Sequence, residues 1–136
     1  EETSGFVKIR IYSGFGTTDG HWTTTNAVVP LNETTFGSVI YNFDSVNNNP
    51  ILILNGIKYT VGNGLTETQT PVGTRDDDVS ANLILANNDA DTTTFDGLID
   101  NVTLSDKSRP SSHAITTYNA EKSDSDIITT GSKVTQ

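Results

Sequence analysis

Two short apolar runs separated by the dipeptide Asn55-Gly56 constrain the fold of this chain most strongly. Ile51–Leu54 precedes the dipeptide, and Ile57–Val61 follows it. A two-residue hairpin turn of type I′ needs positive φ at both central positions, and Asn-Gly tolerates that geometry well. The sequence therefore predicts an antiparallel hairpin at this point.

Other short runs alternate between apolar and polar residues, as half-buried strands do. In residues 6–12, Val7, Ile9 and Ile11 fall on one face and Lys8 on the other. This alternation predicts one continuous strand over residues 6–12.

Later stretches extend the β pattern. Residues 21–29 and 36–43 are predicted to be extended, with Val39, Tyr41 and Phe43 facing the core, and residues 95–104 are predicted to contain a further strand. Helical periodicity is confined to residues 112–121, where Ser112 is the candidate N-cap.

Polar residues fill the gaps between these runs, and hydrophobic residues make up only 33% of the chain. Such a composition fits either a disordered chain or a β-protein with long polar loops, and the alternating runs favour the second. A chain of 136 residues suits one domain. We predict an all-β antiparallel sandwich of the jelly-roll type over residues 1–122, followed by a polar tail at 123–136.

Charge and residue content exclude several function classes. The formal charge of −9 and the lack of clustered Lys and Arg argue against binding to nucleic acid or to an anionic membrane. There is no Cys for disulfides and no apolar run long enough to span a bilayer. The chain opens on Glu1 and contains no Met, so we expect it to be processed or part of a longer protein.

Several segments, in this order, resemble a laminin-G-like jelly roll of the concanavalin A-like lectin/glucanase superfamily, in its bacterial and phage form. The resemblance covers residues 6–122 and corresponds to the C-terminal two-thirds of such a domain. The segments that carry it are YNFD (41–44), NPILILNG (49–56), ETQTPVGT (67–74), NLILAN (82–87), FDGLIDNV (95–102) and the closing RP (109–110) with ITTYN (115–119).

The chain departs from the family pattern in two places. The N-terminal strand pair of the family is missing, so we expect either a fragment or a sandwich completed by strands outside this chain. Asn101 stands where the family usually has Asp or Glu. The resemblance implies a lectin-like sugar binder, an adhesion module, or a passive domain of a phage tail, capsid or surface protein.

Catalysis is not expected. Hydrolytic relatives carry a Glu-x-Asp-x-x-Glu strand, and no Glu of this chain has that spacing. The two histidines, His21 and His113, lie in no nucleophile motif. We therefore predict a protein that is not an enzyme.

Asp100 is the first candidate metal ligand. If residues 98–104 form one regular strand, Asp100 shares a face with Leu98 and Val102. A carboxylate among apolar side chains needs hydrogen bonds, a cation or a metal. The resemblance implies a structural Ca²⁺ near this Asp, whereas a bulge at Gly97 or backbone amides would satisfy it without metal.

The loop around Asn87, Asp89 and Asp91 supplies alternating oxygen ligands that would suit Ca²⁺. The loop lacks the Gly and Glu of an EF-hand, and a solvated acidic loop explains it equally well. The three aspartates at 76–78 are more simply a solvated run.

Sugar platforms require exposed aromatic rings beside amide or carboxylate groups. The candidates for binding a ligand are Trp22, Tyr12, Tyr59 and Asn26. For Trp22, the only Trp, a position in the core or at a sheet edge is favoured over an exposed platform.

Two triplets, Asn32-Glu33-Thr34 and Asn101-Val102-Thr103, fit the acceptor pattern for N-glycosylation. Such triplets arise readily by chance in a chain rich in Thr and Asn. The second also falls inside the strand predicted for residues 95–104.

The sequence thus favours a non-catalytic extracellular recognition or adhesion module that binds a glycan or a surface partner, with structural Ca²⁺ as the candidate cofactor. The alternative is a structural or decoration component of a virion or surface appendage without a small ligand. Both place the protein outside the cell or on a virion, as a homo-oligomer or as part of a larger assembly.

Overall fold

The computed structural model of the protein describes residues 2–3, 5–41, 49–76 and 97–122. The chain divides into two compact units. The larger unit comprises the residues up to Arg75 together with those from Ser108 onward, and the smaller one spans Asp76–Lys107. Both sheets and the helix described below belong to the larger unit.

The secondary structure of the described residues consists of short strands and one helix. In chain order these elements are β1 (Glu2–Thr3), β2 (Phe6–Val7), β3 (Arg10–Ser13), β4 (Gly20–Thr24), β5 (Val29–Pro30), β6 (Gly37–Ile40), β7 (Ile51–Leu54), β8 (Ile57–Val61), β9 (Gly64–Gln69) and α1 (Ser111–Glu121). The predicted all-β class is confirmed, because strands make up two sheets and the helix is a single short element.

The two sheets have the strand orders β1-β2-β5 and β3-β4-β9-β8-β7-β6. Within the described residues every pairing is antiparallel except that of β8 with β9, where Thr60 lies opposite Gly64 and Val61 opposite Leu65. The positive φ of Gly62 (82°) and Gly64 (77°) allows the sharp turn between these two strands. The architecture is compatible with a β-sandwich of the jelly-roll type.

The hairpin predicted at Asn55-Gly56 is confirmed. Leu54 pairs with Ile57, and the two turn residues have φ of 47° and 77°. The turn is tied to the start of β6, because Asn55 N–H donates to the Phe36 carbonyl and Phe36 N–H donates to Asn55 Oδ1, each at 2.9 Å. This turn therefore organises three consecutive strands of the larger sheet.

The continuous strand predicted over residues 6–12 is wrong. Phe6 and Val7 pair with β5 in the small sheet, whereas Arg10–Ser13 pairs with β4 in the large one. At the crossing between sheets, Thr24 N–H donates to the Ile9 carbonyl (3.0 Å) and the Thr24 hydroxyl accepts from Ile9 N–H (3.2 Å). Thr24 is fully buried, so these bonds satisfy polar groups that water cannot reach.

The strand predicted over residues 36–43 is shorter in the structure and ends at Ile40. Val39, predicted to be core, is 53% exposed, whereas Tyr41 is half-buried. Phe43 lies outside the described residues. The core is instead centred on β7, where three consecutive residues, Leu52, Ile53 and Leu54, are buried.

The helix predicted at residues 112–121 is confirmed as Ser111–Glu121, but Ser112 is not its N-cap. Pro110 occupies that position with extended backbone angles and makes no side-chain capping bond. The helix packs on β7. It buries Ala114 and brings the Tyr118 ring to 5.8 Å from the Phe36 ring.

The strand predicted over residues 95–104 is also wrong for its described part. Residues 97–104, in the smaller unit, have no regular structure, and Leu98 is 99% exposed. Asp100 Oδ1 accepts the Asn101 N–H at 2.8 Å, and Asn101 has a φ of 53°. This local hydrogen bond competes with strand pairing, because the Asp100 side chain satisfies the Asn101 N–H without a partner strand. Residues 95–96 and the predicted tail at 123–136 lie outside the described residues.

Replacement of Gly56 by Ala should destabilise the protein for two reasons that the structure separates. The position has positive φ, and a Cβ there would lie 2.7 Å from Cδ1 of the Tyr118 ring. The conformational cost alone is about 1–3 kcal/mol. Gly62→Ala is the matched control, because Gly62 has a φ of 82° and a Cβ added there would meet nothing within 4 Å.

We expect the free energy of unfolding in urea to fall further for Gly56→Ala than for Gly62→Ala. Equal reductions in the free energy of unfolding for the two variants would show that the contact between the Gly56 turn and the Tyr118 ring has no effect on stability.

Candidate functional site

Strands β3, β4 and β9 lie side by side and present two different faces. Along β4, Gly20, Trp22 and Thr24 are buried, while His21 and Thr23 between them are half-buried. Because successive side chains of a strand point to opposite faces, Trp22 marks the inner face and His21 the outer face.

Trp22 is a core residue on the inner face. It is 1% exposed, and its Nε1–H donates to Asn49 Oδ1 at 2.9 Å. The indole also meets the Tyr41 ring edge-on at 5.5 Å and covers Gly20, where any Cβ would overlap it. The core position favoured for Trp22 from the sequence is therefore confirmed, and its prediction as a candidate sugar platform is wrong, because a ligand cannot reach a ring this deeply buried.

Tyr41 lies in a polar environment next to Trp22. Burial raises the pKa of Tyr41 above its usual value, and the nearby Glu67 carboxylate raises the pKa further. The Ser13 side chain and the positive charge of Arg75 lower the pKa of Tyr41, against the effect of burial. Burial has the largest effect, so ionisation of Tyr41 opposes the folded state.

Glu67 lies opposite Trp22 in the β4–β9 ladder. Its Oε1 atom is buried, and no described residue forms a hydrogen bond to it. A buried acceptor without a donor costs about 1–3 kcal/mol, so such an atom needs an explanation in a folded protein. Because paired residues of neighbouring strands point to the same face, Glu67 lies on the inner face with Trp22, away from the outer face of the sheet.

The outer face carries the most exposed ring of the sheet. Tyr12, on β3, is 59% exposed and lies directly opposite His21, with the ring centroids 4.4 Å apart in an edge-on arrangement. Arg10 is exposed, pairs with Thr23 across the same two strands, and Thr23 pairs with Thr66 of β9. We call the outward side chains of Arg10, Tyr12, His21, Thr23 and Thr66 the outer patch.

Hydrogen bonds orient the threonine hydroxyls around the outer patch. Thr23 donates to the Ile9 carbonyl and Thr68 donates to the His21 carbonyl, each at 3.2 Å. The hydroxyls of Thr25 and Thr66 are 3.0 Å apart. These groups are fixed before any ligand arrives, which lowers the entropy lost on binding.

A shallow cleft of about 520 Å³ continues from the outer patch to the turn between β8 and β9. Asn26 and Thr25 line it on one side, Thr66 and Glu67 on the other, together with Val61, Gly62, Gly64 and Leu65. The Tyr59 ring packs against Gly64, where a Cβ would lie 2.6 Å from Tyr59 Cδ1.

Three of the four predicted ligand-binding residues lie in the outer patch, in the cleft or beside the cleft. Tyr12 is in the outer patch, Asn26 lines the adjoining cleft, and half-buried Tyr59 supports the cleft through Gly64. Arg10 and Thr66 were not singled out from the sequence. Their shared alternation with Tyr12 and Thr23 would have identified them, but only once the pairing of β3, β4 and β9 was known.

Of the predicted calcium ligands, the structure describes only Asp100, and it does not find the environment expected for it. Asp100 is exposed within irregular backbone, so the expected position among apolar side chains is wrong. Asn87, Asp89 and Asp91 lie outside the described residues. Among the residues described, no three His, Asp or Glu side chains come close enough to hold a metal ion. Calcium binding therefore stays a prediction.

No protein-family model matches the chain, and no curated protein or solved structure matches it either. In the part of the chain that the structure describes, no helix has the length and apolar character needed to cross a membrane.

Replacing Tyr41 with Phe should flatten the loss of stability at alkaline pH. The folded pKa of Tyr41 is raised, so its contribution is present below pH about 10, the usual Tyr value, and is lost as pH rises through the folded pKa. The measurement is the free energy of unfolding in urea from pH about 8 upward.

Tyr12→Phe is the control, because it removes an exposed phenol from the same sheet. Tyr41→Phe also removes a buried hydroxyl, so the pH slope is compared and not the absolute stability. Identical slopes of unfolding free energy against pH for the wild type and Tyr41→Phe would show that ionisation of Tyr41 does not contribute to the alkaline loss of stability.

Proposed function

We propose that this protein is a non-catalytic extracellular recognition module that binds a glycan through the outer patch and the adjoining cleft. The observation that carries the proposal is the exposed Tyr12 ring, held edge-on against His21 on a sheet face whose threonine hydroxyls are oriented by hydrogen bonds.

An exposed aromatic ring suits a sugar because its apolar face accepts the C–H face of a pyranose, while neighbouring polar groups bond the hydroxyls. Tyr12 supplies such a ring, Arg10 on the same face of β3 supplies a donor, and Asn26 supplies an amide in the cleft. The contact with His21 restrains the Tyr12 ring before binding, so little side-chain entropy is lost.

The cleft adds a feature that also favours a hydroxyl-rich ligand. Asn26, Thr25 and Thr66 line the cleft and offer amide and hydroxyl groups to the hydroxyls of a sugar. The open shape suits one end or one edge of a saccharide chain better than a fully enclosed small molecule.

The finer classification as a laminin-G-like jelly roll belongs to the same proposal. Its support is the ordered series of sequence segments and a two-sheet architecture compatible with a jelly roll, although the described part of FDGLIDNV, residues 97–102, belongs to neither sheet. Fold resemblance alone does not transfer activity, so the ligand class rests on the residues of the outer patch and cleft.

A second candidate function is a structural or decoration component of a virion or surface appendage. Apolar side chains exposed on the smaller unit favour it, since Leu98 is 99% and Leu104 70% exposed. Exposed apolar residues of this kind are typical of surfaces that another protein covers.

Tyr12→Ala should weaken glycan binding about tenfold, because loss of the ring removes roughly 1.5 kcal/mol of contact energy. A glycan array identifies the ligand, and titration calorimetry then gives the affinity. Phe6→Ala is the matched control, since Phe6 is an aromatic residue 44% exposed on the other sheet.

We expect Phe6→Ala to bind as the wild type does. Equal weakening by both variants would exclude the outer patch as the site. Failure of the wild type to bind any glycan, together with self-association in light scattering, would instead support the structural function.

Calcium is the proposed structural cofactor, with Asp100 as the one proposed ligand in the described part of the chain. Binding to the folded state alone raises stability by about 2.7 kcal/mol at a hundredfold excess over Kd, so Ca²⁺ should raise Tm by several degrees. Asp100→Asn should abolish the shift, whereas Asp106→Asn, an exposed Asp of the same unit, should keep it. An unchanged Tm with Ca²⁺ in the wild type would exclude the cofactor.

A further inference from the structure

Two Asn-x-Thr triplets have no part in the outer patch or the cleft. They are Asn32-Glu33-Thr34 and Asn101-Val102-Thr103, and neither has Pro in the middle position. This pattern is the acceptor sequence for N-linked glycosylation when it occurs on the surface of a secreted protein. The structure shows whether each triplet has the accessibility that the reaction requires.

The first triplet lies in a turn that leaves the small sheet. Leu31 N–H donates to the Gly5 carbonyl at 2.9 Å, immediately after the last pair of β5 with β2. Asn32 then adopts a φ of 71°, and residues 31–34 are all exposed. The Asn32 amide and the Thr34 hydroxyl therefore lie on a projecting turn of the larger unit.

The second triplet lies in a part of the chain where a strand was expected. Pairing within a sheet would have held Asn101 against a neighbouring strand. The structure instead has irregular backbone there, with Asn101 at a φ of 53° and residues 97–110 all exposed. Strand pairing therefore does not block access to Asn101.

Asn55 provides an internal comparison, because it is the remaining non-glycine residue with positive φ in the described part of the chain. Its amide oxygen accepts the Phe36 N–H, and Ile57 stands where an acceptor triplet needs Ser or Thr. A positive φ at an Asn is therefore not sufficient to make it an acceptor site for a glycan. Asn32 and Asn101 both combine exposure with the required hydroxyl residue two positions later.

We propose that Asn32 and Asn101 are acceptor sites for N-linked glycans. The inference rests on the extracellular location in the proposed function, because the reaction takes place during secretion. The amide nitrogen bonds to C1 of the first sugar, while the bond from C1 to a phosphate oxygen of a lipid-linked pyrophosphate donor breaks. The amide loses one proton and the lipid pyrophosphate leaves, with no change of oxidation state.

A glycan at either position would extend into solvent. Each Asn is exposed, and so are both of its chain neighbours. Neither Asn contributes to the outer patch or lines the cleft. Modification would add a large solubilising group at either position.

The test is secretion of the full 136-residue chain from eukaryotic cells behind a cleavable signal, followed by peptide mass spectrometry. Peptide-N-glycosidase converts each modified Asn to Asp, so occupancy is read site by site. We expect modification at Asn32 and Asn101, selective loss in Asn32→Gln and Asn101→Gln, and no change in Asn63→Gln.

The hydroxyl residues provide variants that leave the turns intact. Thr34→Ala should abolish modification of Asn32 alone, and Thr34→Ser should restore it. Either Asn found unmodified in secreted, folded protein overturns the proposal for that site. Glycan binding is measured separately on protein from bacterial cytoplasm, which carries no N-glycan, so the failure of one proposal is distinguishable from the failure of the other.

Discussion

The burial of Trp22 is the constraint on which the rest of the larger unit depends. The indole is 1% exposed, bonds Asn49 through Nε1–H, and occupies the space that Gly20 leaves open. Removing a buried Trp side chain typically costs about 3–5 kcal/mol. Since side chains alternate along a strand, a shift of one residue would bring Trp22 into solvent. The phase of β4 is therefore fixed.

The fixed phase of β4 determines what the opposite face presents. His21 must point outward, and the antiparallel register then places it beside Tyr12. Thr23 points the same way and aligns with Arg10 and Thr66. The core and the proposed binding surface are thus two sides of the same strands, so packing on one side makes the other rigid.

The parts that the sequence predicts correctly depend on local chemistry. The hairpin at Asn55-Gly56 and the helix near Ser111–Glu121 follow from turn geometry and from local periodicity. The strand over residues 6–12 was wrong because alternation persists through the crossing, where Ile9 bonds to Thr24, a residue distant in sequence. Tyr12 could be identified as a candidate from the sequence alone. Its neighbours in the outer patch could not, because only the pairing of the strands brings them onto the same face.

Threonine and asparagine explain how so polar a chain forms sheets. Threonine has the branched Cβ that strands favour, and its hydroxyl bonds to the backbone both in the core, as at Thr24, and on the surface, as at Thr23 and Thr68. Asparagine takes left-handed turns at modest cost and replaces glycine at Asn32, Asn55 and Asn101. The polar composition that suggested disorder therefore serves the fold, because its two main residue types build strands and the turns between them.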